Sequence, residues 1–213
     1  MIHLHRLILC WFAFWTTCVG LFAQDVLSVM ERTATKLKNS NGIEASFEAT
    51  SFNGTQASGS IQGKIMVQGN KFRIQSEEMS TWFDGKTQWT QLSGSNEVNV
   101  SSPTQEEIQQ QNPYAFIDLY KKGYARQLAE ATYQGKSCYE VRLVAQDKKN
   151  KIQEMRLTID KKTFLPLSVR TKMGKGNWLR IRVNSIKMGK KWKDDIFRFD
   201  KKQHPDIEII DLR

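Results

Sequence analysis

The sequence predicts a mainly β protein: a strongly curved antiparallel sheet or barrel of about eleven strands around one apolar interior, with three short helices. Segments such as LRIRV, residues 179–183, alternate apolar and charged residues along much of the chain. This alternation is typical of antiparallel sheets with one solvated face. The helices are too few to cover so many apolar faces, and the charged opposite faces argue against a sheet buried on both sides. We therefore expect the sheet to curve around its own interior, with room for a ligand.

The first 23 residues differ from the rest of the chain. Arg6 precedes an apolar run that ends at Ala23, and polar sequence follows. This pattern is typical of a secretory signal peptide, which predicts an exported single domain over residues 24–213. A membrane anchor is the alternative, although the run from Leu7 to Ala23 is marginal for spanning a bilayer.

Few residues of the exported part are suited to catalysis. Beyond the leader, Cys138 and His204 are the single cysteine and the single histidine. Because each of these residue types occurs only once, an internal disulfide, most metal clusters and most histidine-based triads are excluded. No nucleophile-elbow, zinc-protease or P-loop motif occurs. Asp194-Asp195 and Glu106-Glu107 are adjacent pairs in polar contexts, where neighbouring side chains point apart. The sequence therefore predicts a protein that is not an enzyme and needs no cofactor or metal.

The chain is basic, with a formal net charge of +10. Much of the excess lies in lysine clusters at predicted turns: Lys148, Lys149 and Lys151; Lys161 and Lys162; Lys190, Lys191 and Lys193; Lys201 and Lys202. Solvated turns and edge protection explain such clusters, and attraction to an anionic membrane or an acidic partner is the sharper interpretation. No recognition module for nucleic acid is present.

The elements follow one another in a simple order. A helix is expected over residues 25–38, with Asp25 as its cap and Asn39-Ser40-Asn41-Gly42 as its end. Period-two alternation predicts the strands, which turn residues separate. They lie at about 43–52, 58–68, 71–78, 96–100, 126–133, 137–145, 152–160, 164–173 and 177–188, with a hairpin over 79–92 and a possible edge strand at 207–212.

Residues 101–123 interrupt the strands. Ser102-Pro103-Thr104-Gln105 reads as an N-cap, a proline at the first helical position and a glutamine at the third. Asn112-Pro113 is a second N-cap followed by proline, and it begins the helix predicted for PYAFIDLYKK. Gly123 ends this helix. Two short helices are therefore predicted here.

The stretch MSTWFDGKTQWTQL, residues 79–92, predicts a hairpin. Asp84-Gly85 favours a two-residue type I′ turn, which would place Trp82 opposite Thr87 and Ser80 opposite Trp89. Both indoles then lie on one face of the sheet, and we expect them to line the interior.

The order of several segments is similar to that of the periplasmic outer-membrane lipoprotein carrier family, LolA. They are an amphipathic helix, GIEASFEAT, GKIMVQGNKFRI, TWFDGKTQW, EVNV, NPYAFIDLY and a strand-rich half that ends in DDIFRF. The resemblance covers essentially the whole exported part. It implies a half-open, eleven-stranded β-barrel closed by a helical lid. Its apolar cavity would carry acyl chains of lipoproteins across the periplasm, from an inner-membrane ABC transporter towards an outer-membrane acceptor, as a monomer.

Apolar residues of the predicted strands and helices are the candidates for this cavity, although core packing uses the same residue types. The cavity candidates are Phe47, Ile65, Val67, Phe72, Ile74, Trp82, Trp89, Val98, Val141, Leu143, Leu157 and Ile181. The lid candidates are Met30, Tyr114, Phe116 and Ile117.

One turn departs from the family pattern. Well-known carriers have a basic residue and a proline where this chain has Gln68-Gly69-Asn70. Arg73 lies nearby, but strand alternation aims it away from the interior. Either the lid is controlled differently, or the protein handles another amphiphile, such as a glycolipid or pigment, or senses a lipid or lipoprotein.

Overall fold

The computed structural model describes residues 25–104, 107–108, 120–121, 123–173 and 176–213. These residues form one twelve-stranded sheet, one α-helix and a short 3-10 helix. The helix is α1, Val26–Lys38, and the 3-10 helix is Asp194–Phe197. The strands are β1 Ile43–Asn53, β2 Gln56–Gln68, β3 Lys71–Ser76, β4 Met79–Phe83, β5 Gln88–Leu92, β6 Glu97–Ser101, β7 Tyr124–Tyr133, β8 Lys136–Ala145, β9 Ile152–Asp160, β10 Pro166–Met173, β11 Asn177–Met188 and β12 Glu208–Asp211.

The prediction of a mainly β, curved sheet is confirmed, but the half-open barrel of about eleven strands is instead a sheet of twelve strands that is not closed into a barrel. Its order is β12-β6-β5-β4-β3-β2-β1-β11-β10-β9-β8-β7, and β12 and β7 are its two edges. All neighbours are antiparallel except β12, which pairs in parallel with β6. Irregular registers in β1, β10 and their partners interrupt regular pairing, and such bulges bend strands. The C-terminal segment extends one edge as a twelfth strand.

Helix α1 forms where it was predicted, without the predicted cap. Asp25 occupies the N-cap position, but its side chain makes no capping hydrogen bond. The backbone N–H of Asn39 closes the other end on the Thr35 carbonyl at 2.9 Å. Within the described residues, no helix has both the length and the apolar character needed to cross a bilayer.

The two predicted lid helices fall largely outside the described residues. At the start of that segment, the Glu107 carboxylate accepts hydrogen bonds from the backbone N–H and the hydroxyl of Thr104 at 2.7 and 2.9 Å. The backbone N–H of Glu107 donates back to the Thr104 hydroxyl at 3.3 Å, which completes a capping box two residues later than the predicted cap at Ser102. Only α1 has defined α-helical bounds in the described part of the chain, so a three-helix lid is not supported.

The hairpin that joins β4 and β5 has a longer loop than predicted. Trp82 lies directly opposite Trp89, and Asp84–Thr87 form the loop. One Asp84 carboxylate oxygen accepts from the backbone N–H groups of Lys86 and Thr87 at 3.0 and 2.9 Å. This bonding of aspartate to the backbone two and three residues on stabilises the wider loop over a two-residue type I′ turn. The predicted register was therefore wrong, but the two indoles do share one face.

We call the face on which α1 packs the inner face. There, the helix cluster joins α1 to the second half of the sheet, and the strand cluster lies on β1 to β4. The helix cluster is Val26, Val29, Met30, Ala34, Leu37, Ile43, Tyr120, Tyr124, Val141, Leu143, Met155, Leu157, Ile159 and Val169. The strand cluster is Ala45, Ile65, Val67, Phe72 and Phe83.

The opposite, outer face carries most charges of the second half of the sheet. Glu154 accepts two hydrogen bonds from Arg142, at 2.7 and 3.1 Å, and one from Arg156 at 2.8 Å. Hydrogen bonds from Arg142 are the main cause that lowers the pKa of Glu154 to about 2, and Arg156 adds to them against the opposing effect of burial. The folded state therefore favours the ionised carboxylate.

Gly63→Ala should destabilise the fold by about 1–3 kcal/mol, because a Cβ there would overpack the inner face. An added Cβ would lie 2.5 Å from Cζ of Phe47 and 2.7 Å from the carbonyl oxygen of Gln75. Chemical denaturation measures the change. Gly59→Ala on the same strand is the matched control, since its Cβ would meet nothing within 4 Å. Equal stability of the two variants would contradict this packing.

Glu154→Gln should cost about 1–2 kcal/mol of stability near neutral pH, after allowance for the solvent exposure of both arginines. Because the folded state lowers the pKa of Glu154 from 4.5 to about 2, its contribution is complete above the unfolded value and is lost as the pH falls through the folded one. Denaturation curves of both proteins from neutral pH to pH about 2 should therefore converge. Glu130→Gln, which removes an exposed ion pair with Lys161, should change stability by less than about 0.5 kcal/mol. A pH-independent difference between Glu154→Gln and the parent would contradict the assignment.

Candidate functional site

The candidate site is an apolar strip on the inner face, between the helix cluster and the strand cluster. It consists of Phe47, Ala49, Ile61, Leu179, Ile181 and Val183, and all six side chains are partly exposed. The register makes the strip continuous across three strands. Phe47 of β1 faces Val183 of β11, and Ala49 faces both Ile61 of β2 and Ile181 of β11. The strip is an apolar surface that the described residues leave partly open.

Two features shape one end of the strip. The Phe47 ring lies across Gly63, which has no side chain to oppose it. Ile108 and Tyr120, described residues of the interrupting segment, contact the strand cluster and the helix cluster respectively. The described residues of that segment thus contact both clusters.

Nine of the twelve predicted cavity residues lie on the inner face, but they differ in exposure. Phe47, Ile74 and Ile181 are partly exposed, and Ile65, Val67 and Phe72 are buried in the strand cluster. Val141, Leu143 and Leu157 are 0% exposed, in the helix cluster with α1. In this structure, these last three side chains are therefore closed to a ligand.

The predicted lid residues are only partly accounted for. Met30 belongs to α1 and is fully buried in the helix cluster. Tyr114, Phe116 and Ile117 lie outside the described residues.

Trp82, Trp89 and Val98 were expected in the same interior, and that expectation is wrong. Phe72 faces Phe83, so the next pair along the two strands, Arg73 and Trp82, points to the outer face. There, the C-terminal cluster consists of Trp82, Val98, Val100 and Phe199, with Trp89 and Ile207 packed against it. The rings of Trp82 and Phe199 are 5.6 Å apart at 72°. The two indoles therefore pack against the C-terminal segment and do not line the inner face.

A cleft of about 500 Å³ opens beside the C-terminal cluster. The Arg73 guanidinium lies 5.4 Å from the Trp82 ring there, on the outer face as the alternation predicted. Burial lowers the pKa of Arg73. His204 stacks on Phe199 at the other side of the cleft, 5.4 Å between centroids.

The turn that lacks the family's basic residue has a different role in this chain. The Gln68 side-chain amide donates to the Trp192 carbonyl at 3.3 Å and accepts from the Trp192 backbone N–H at 2.9 Å. Gly69, at φ +61°, allows the tight turn that follows. The turn thus ties the β2–β3 hairpin to the start of the C-terminal segment.

Three kinds of potentially reactive group can be placed among the described residues. These residues contain no group of three or more His, Cys, Asp or Glu placed to hold a metal ion. Burial raises the pKa of the Cys138 thiol, which is fully enclosed. Asp194, one of the adjacent acids, pairs with Lys71 at 2.6 Å. The six side chains of the strip are all apolar, and none of them carries a reactive group.

Only the tertiary structure shows that Ile61, Leu179 and Val183 belong to the site. All three show the alternation that marked Ile65 and Ile181, but that alternation does not indicate which positions a helix covers. No further signal in the sequence distinguishes them.

Comparisons with known proteins place the fold. The model of a family described as "Outer membrane lipoprotein carrier protein LolA" matches residues 18–176. An uncharacterised conserved protein of Thermus thermophilus is 14% identical, with a TM-score of 0.59 over 87% of this chain and 98% of that one. This likeness shows a shared fold. Among curated proteins, none matches the chain.

Two further solved structures align with lower scores. A LolA superfamily protein of Nitrosomonas europaea is 12% identical, with a TM-score of 0.43 over 81% of this chain and 97% of that one. A putative outer-membrane lipoprotein-sorting domain of Vibrio parahaemolyticus is 10% identical, with a TM-score of 0.46 over 84% and 97%. The family model, however, spans well over half of the sequence. The chain therefore belongs to the LolA family of outer-membrane lipoprotein carrier proteins.

Proposed function

We propose that the protein is a non-enzymatic periplasmic carrier that binds the acyl chains of lipoproteins on its inner face. The single observation that carries the proposal is the partly exposed apolar strip beside a helix-covered core, in a chain of the LolA family. Phe47, Ile74 and Ile181 are the predicted residues that contact the chains first. Ile65, Val67 and Phe72 form the floor beside them. The leader, residues 1–23, is a signal peptide in this proposal, and 24–213 is the exported domain.

Burial of hydrocarbon supplies the affinity. Each CH₂ group removed from water contributes about 0.8 kcal/mol, so even a partial acyl chain binds without any polar contact. The open strip accepts the first part of a chain. Movement of α1 away from Val141, Leu143 and Leu157 would expose further apolar surface for the remainder. Moving α1 costs free energy, and this cost reduces the net affinity for the acyl chain. Binding therefore remains reversible.

A carrier of this kind receives its cargo from one membrane protein and passes it to another. We propose an inner-membrane ABC transporter as the donor and an outer-membrane acceptor. The carrier would act as a monomer and would keep its lipoprotein bound between the transporter and the acceptor.

A second candidate is a carrier or sensor of another amphiphile, such as a glycolipid or a pigment. The observation that favours it is the turn at Gln68-Gly69-Asn70. Its side-chain hydrogen bonds hold the Trp192 backbone, where well-known carriers of the family have a basic residue that couples the lid to cargo. Control of cargo binding through that turn is therefore absent in its usual form.

Purification of the protein from its native host without detergent tests the proposal directly. We expect mass spectrometry to find triacylated lipoproteins in roughly equimolar amount, because the apolar strip should retain acyl chains through purification. A glycolipid or pigment in their place would support the second candidate. Protein that is reproducibly empty, and that also takes up no lipoprotein from membranes, would contradict both.

Ile181→Thr should weaken binding of a synthetic triacylated cysteinyl lipopeptide by roughly fivefold. The change keeps the β-branched shape but replaces apolar contact worth about 1 kcal/mol with a hydroxyl. Equilibrium binding of the fluorescently labelled lipopeptide measures the effect. Ile209→Thr on edge strand β12 is the matched control, since Ile209 is 43% exposed and lies outside the strip. Equal loss in both variants, or no loss in either, would contradict the assigned strip.

A further inference from the structure

Four arginines lie side by side across the outer face of the sheet. Arg142 of β8 faces Arg156 of β9, Arg156 faces Arg170 of β10, and Arg170 faces Arg180 of β11. We call this row the arginine ladder. Neighbouring strands are about 4.8 Å apart, so four positive charges lie within about 15 Å. Like charges directly opposite one another destabilise a sheet, which makes the row costly for folding alone.

Carboxylates neutralise the ladder only in part. Glu154 binds both Arg142 and Arg156. Glu48 lies 3.7 Å from Arg180 and 3.9 Å from Arg182, which is the next outward residue on β11. Two carboxylates thus form ion pairs with three arginines of the ladder and with Arg182. The fourth arginine of the ladder is Arg170.

Arg170 has no carboxylate partner among the described residues. Its guanidinium instead lies 4.9 Å from the Trp178 ring and 5.4 Å from the Phe52 ring. The Nε atoms of Arg170, Arg180 and Arg182 are buried without a hydrogen-bond partner. A guanidinium that stacks on aromatic rings can still bind phosphate through its two terminal NH2 groups, because these donors lie in the ring-parallel plane.

The surroundings extend this positive surface. Lys172 also lies on the outer face, opposite Glu154 and Trp178. Lys148 and Lys149 are exposed in the β8–β9 loop, at the same end of the sheet. The arginine side chains remain accessible, since Arg142, Arg156, Arg180 and Arg182 are 29–41% exposed.

We propose that this outer face docks on a bilayer that contains anionic phospholipids. The cations are spread across four strands instead of converging on one point, so they match a surface with many phosphates better than a single small anion. Tryptophan and arginine with apolar stems are suited to the headgroup region of a membrane. Each arginine or lysine near an anionic bilayer contributes about 1 kcal/mol, and no acyl chain needs to enter the inner face. The proposal is thus independent of the cargo and assigns membrane attraction to the ladder rather than to the lysine turns in general.

Vesicle co-sedimentation tests the docking with the protein as cells produce it, purified without detergent. We expect binding to vesicles of phosphatidylglycerol mixed with phosphatidylethanolamine, little binding to phosphatidylcholine vesicles, and loss of binding as salt is raised. Equal binding to both vesicle types would overturn the proposal. Binding to polyglutamate without binding to the anionic vesicles would also overturn it, and would indicate an acidic protein partner.

The double variant Arg170→Gln/Arg182→Gln locates the binding surface. It leaves Glu154 with both of its arginines and Glu48 with Arg180, so the fold should persist. At about fivefold per charge, the partition coefficient should fall about 25-fold. If the double variant does not fold by circular dichroism, Arg170→Gln alone carries the test, with a fall of about fivefold.

Two further variants separate the ladder from net charge. Lys190→Gln/Lys191→Gln removes the same charge just beyond the far end of β11, where both lysines are exposed, and should change partitioning less than about twofold. Arg170→Lys/Arg182→Lys keeps the charge and should retain most of the binding. An equal fall in the lysine control, or no fall in the arginine variant, would overturn the assignment.

Discussion

The described fold depends on a single constraint: the apolar side chains of one open sheet must be covered. Helix α1 contributes to that cover over the second half of the sheet, where Val141, Leu143 and Leu157 are fully buried in the cluster that it joins. A helix of 13 residues is about 20 Å long, too short to cover twelve strands. The strip around Phe47 and Ile181 is what remains, and it is the surface on which the carrier proposal depends.

The outer face meets the same constraint in another way. Its first half carries apolar side chains as well, and the chain returns at its C-terminus to cover them with Phe199 and strand β12. Gln68 and Asp84 hold this returning segment, through Trp192 and Arg198. Backbone hydrogen bonds and the charge of Arg198 outweigh the effect of burial and keep the pKa of Asp84 below its usual value. The turn that differs from the family pattern therefore serves the fold.

Under the two proposals, the two faces of the sheet have separate tasks. In the carrier proposal, the inner face offers apolar area that a movement of α1 would enlarge, and that is the property a reversible carrier of acyl chains requires. The outer face of the second half concentrates arginines that Glu154 and Glu48 only partly neutralise. A cargo surface and a docking surface on opposite faces of one sheet could act at the same time.

The sequence by itself determined most of the strands and helix α1, because the alternation and composition of a segment are local properties. The edge strand near residue 207 and the outward direction of Arg73 followed from the same local rules. Only the tertiary structure decided that the sheet stays open and that Trp82, Trp89 and Val98 lie beneath the C-terminal segment. Alternation places residues on one face or the other, but it does not say which distant segment covers that face. The arginine ladder has the same cause, since its register comes from pairing between strands that the sequence does not align.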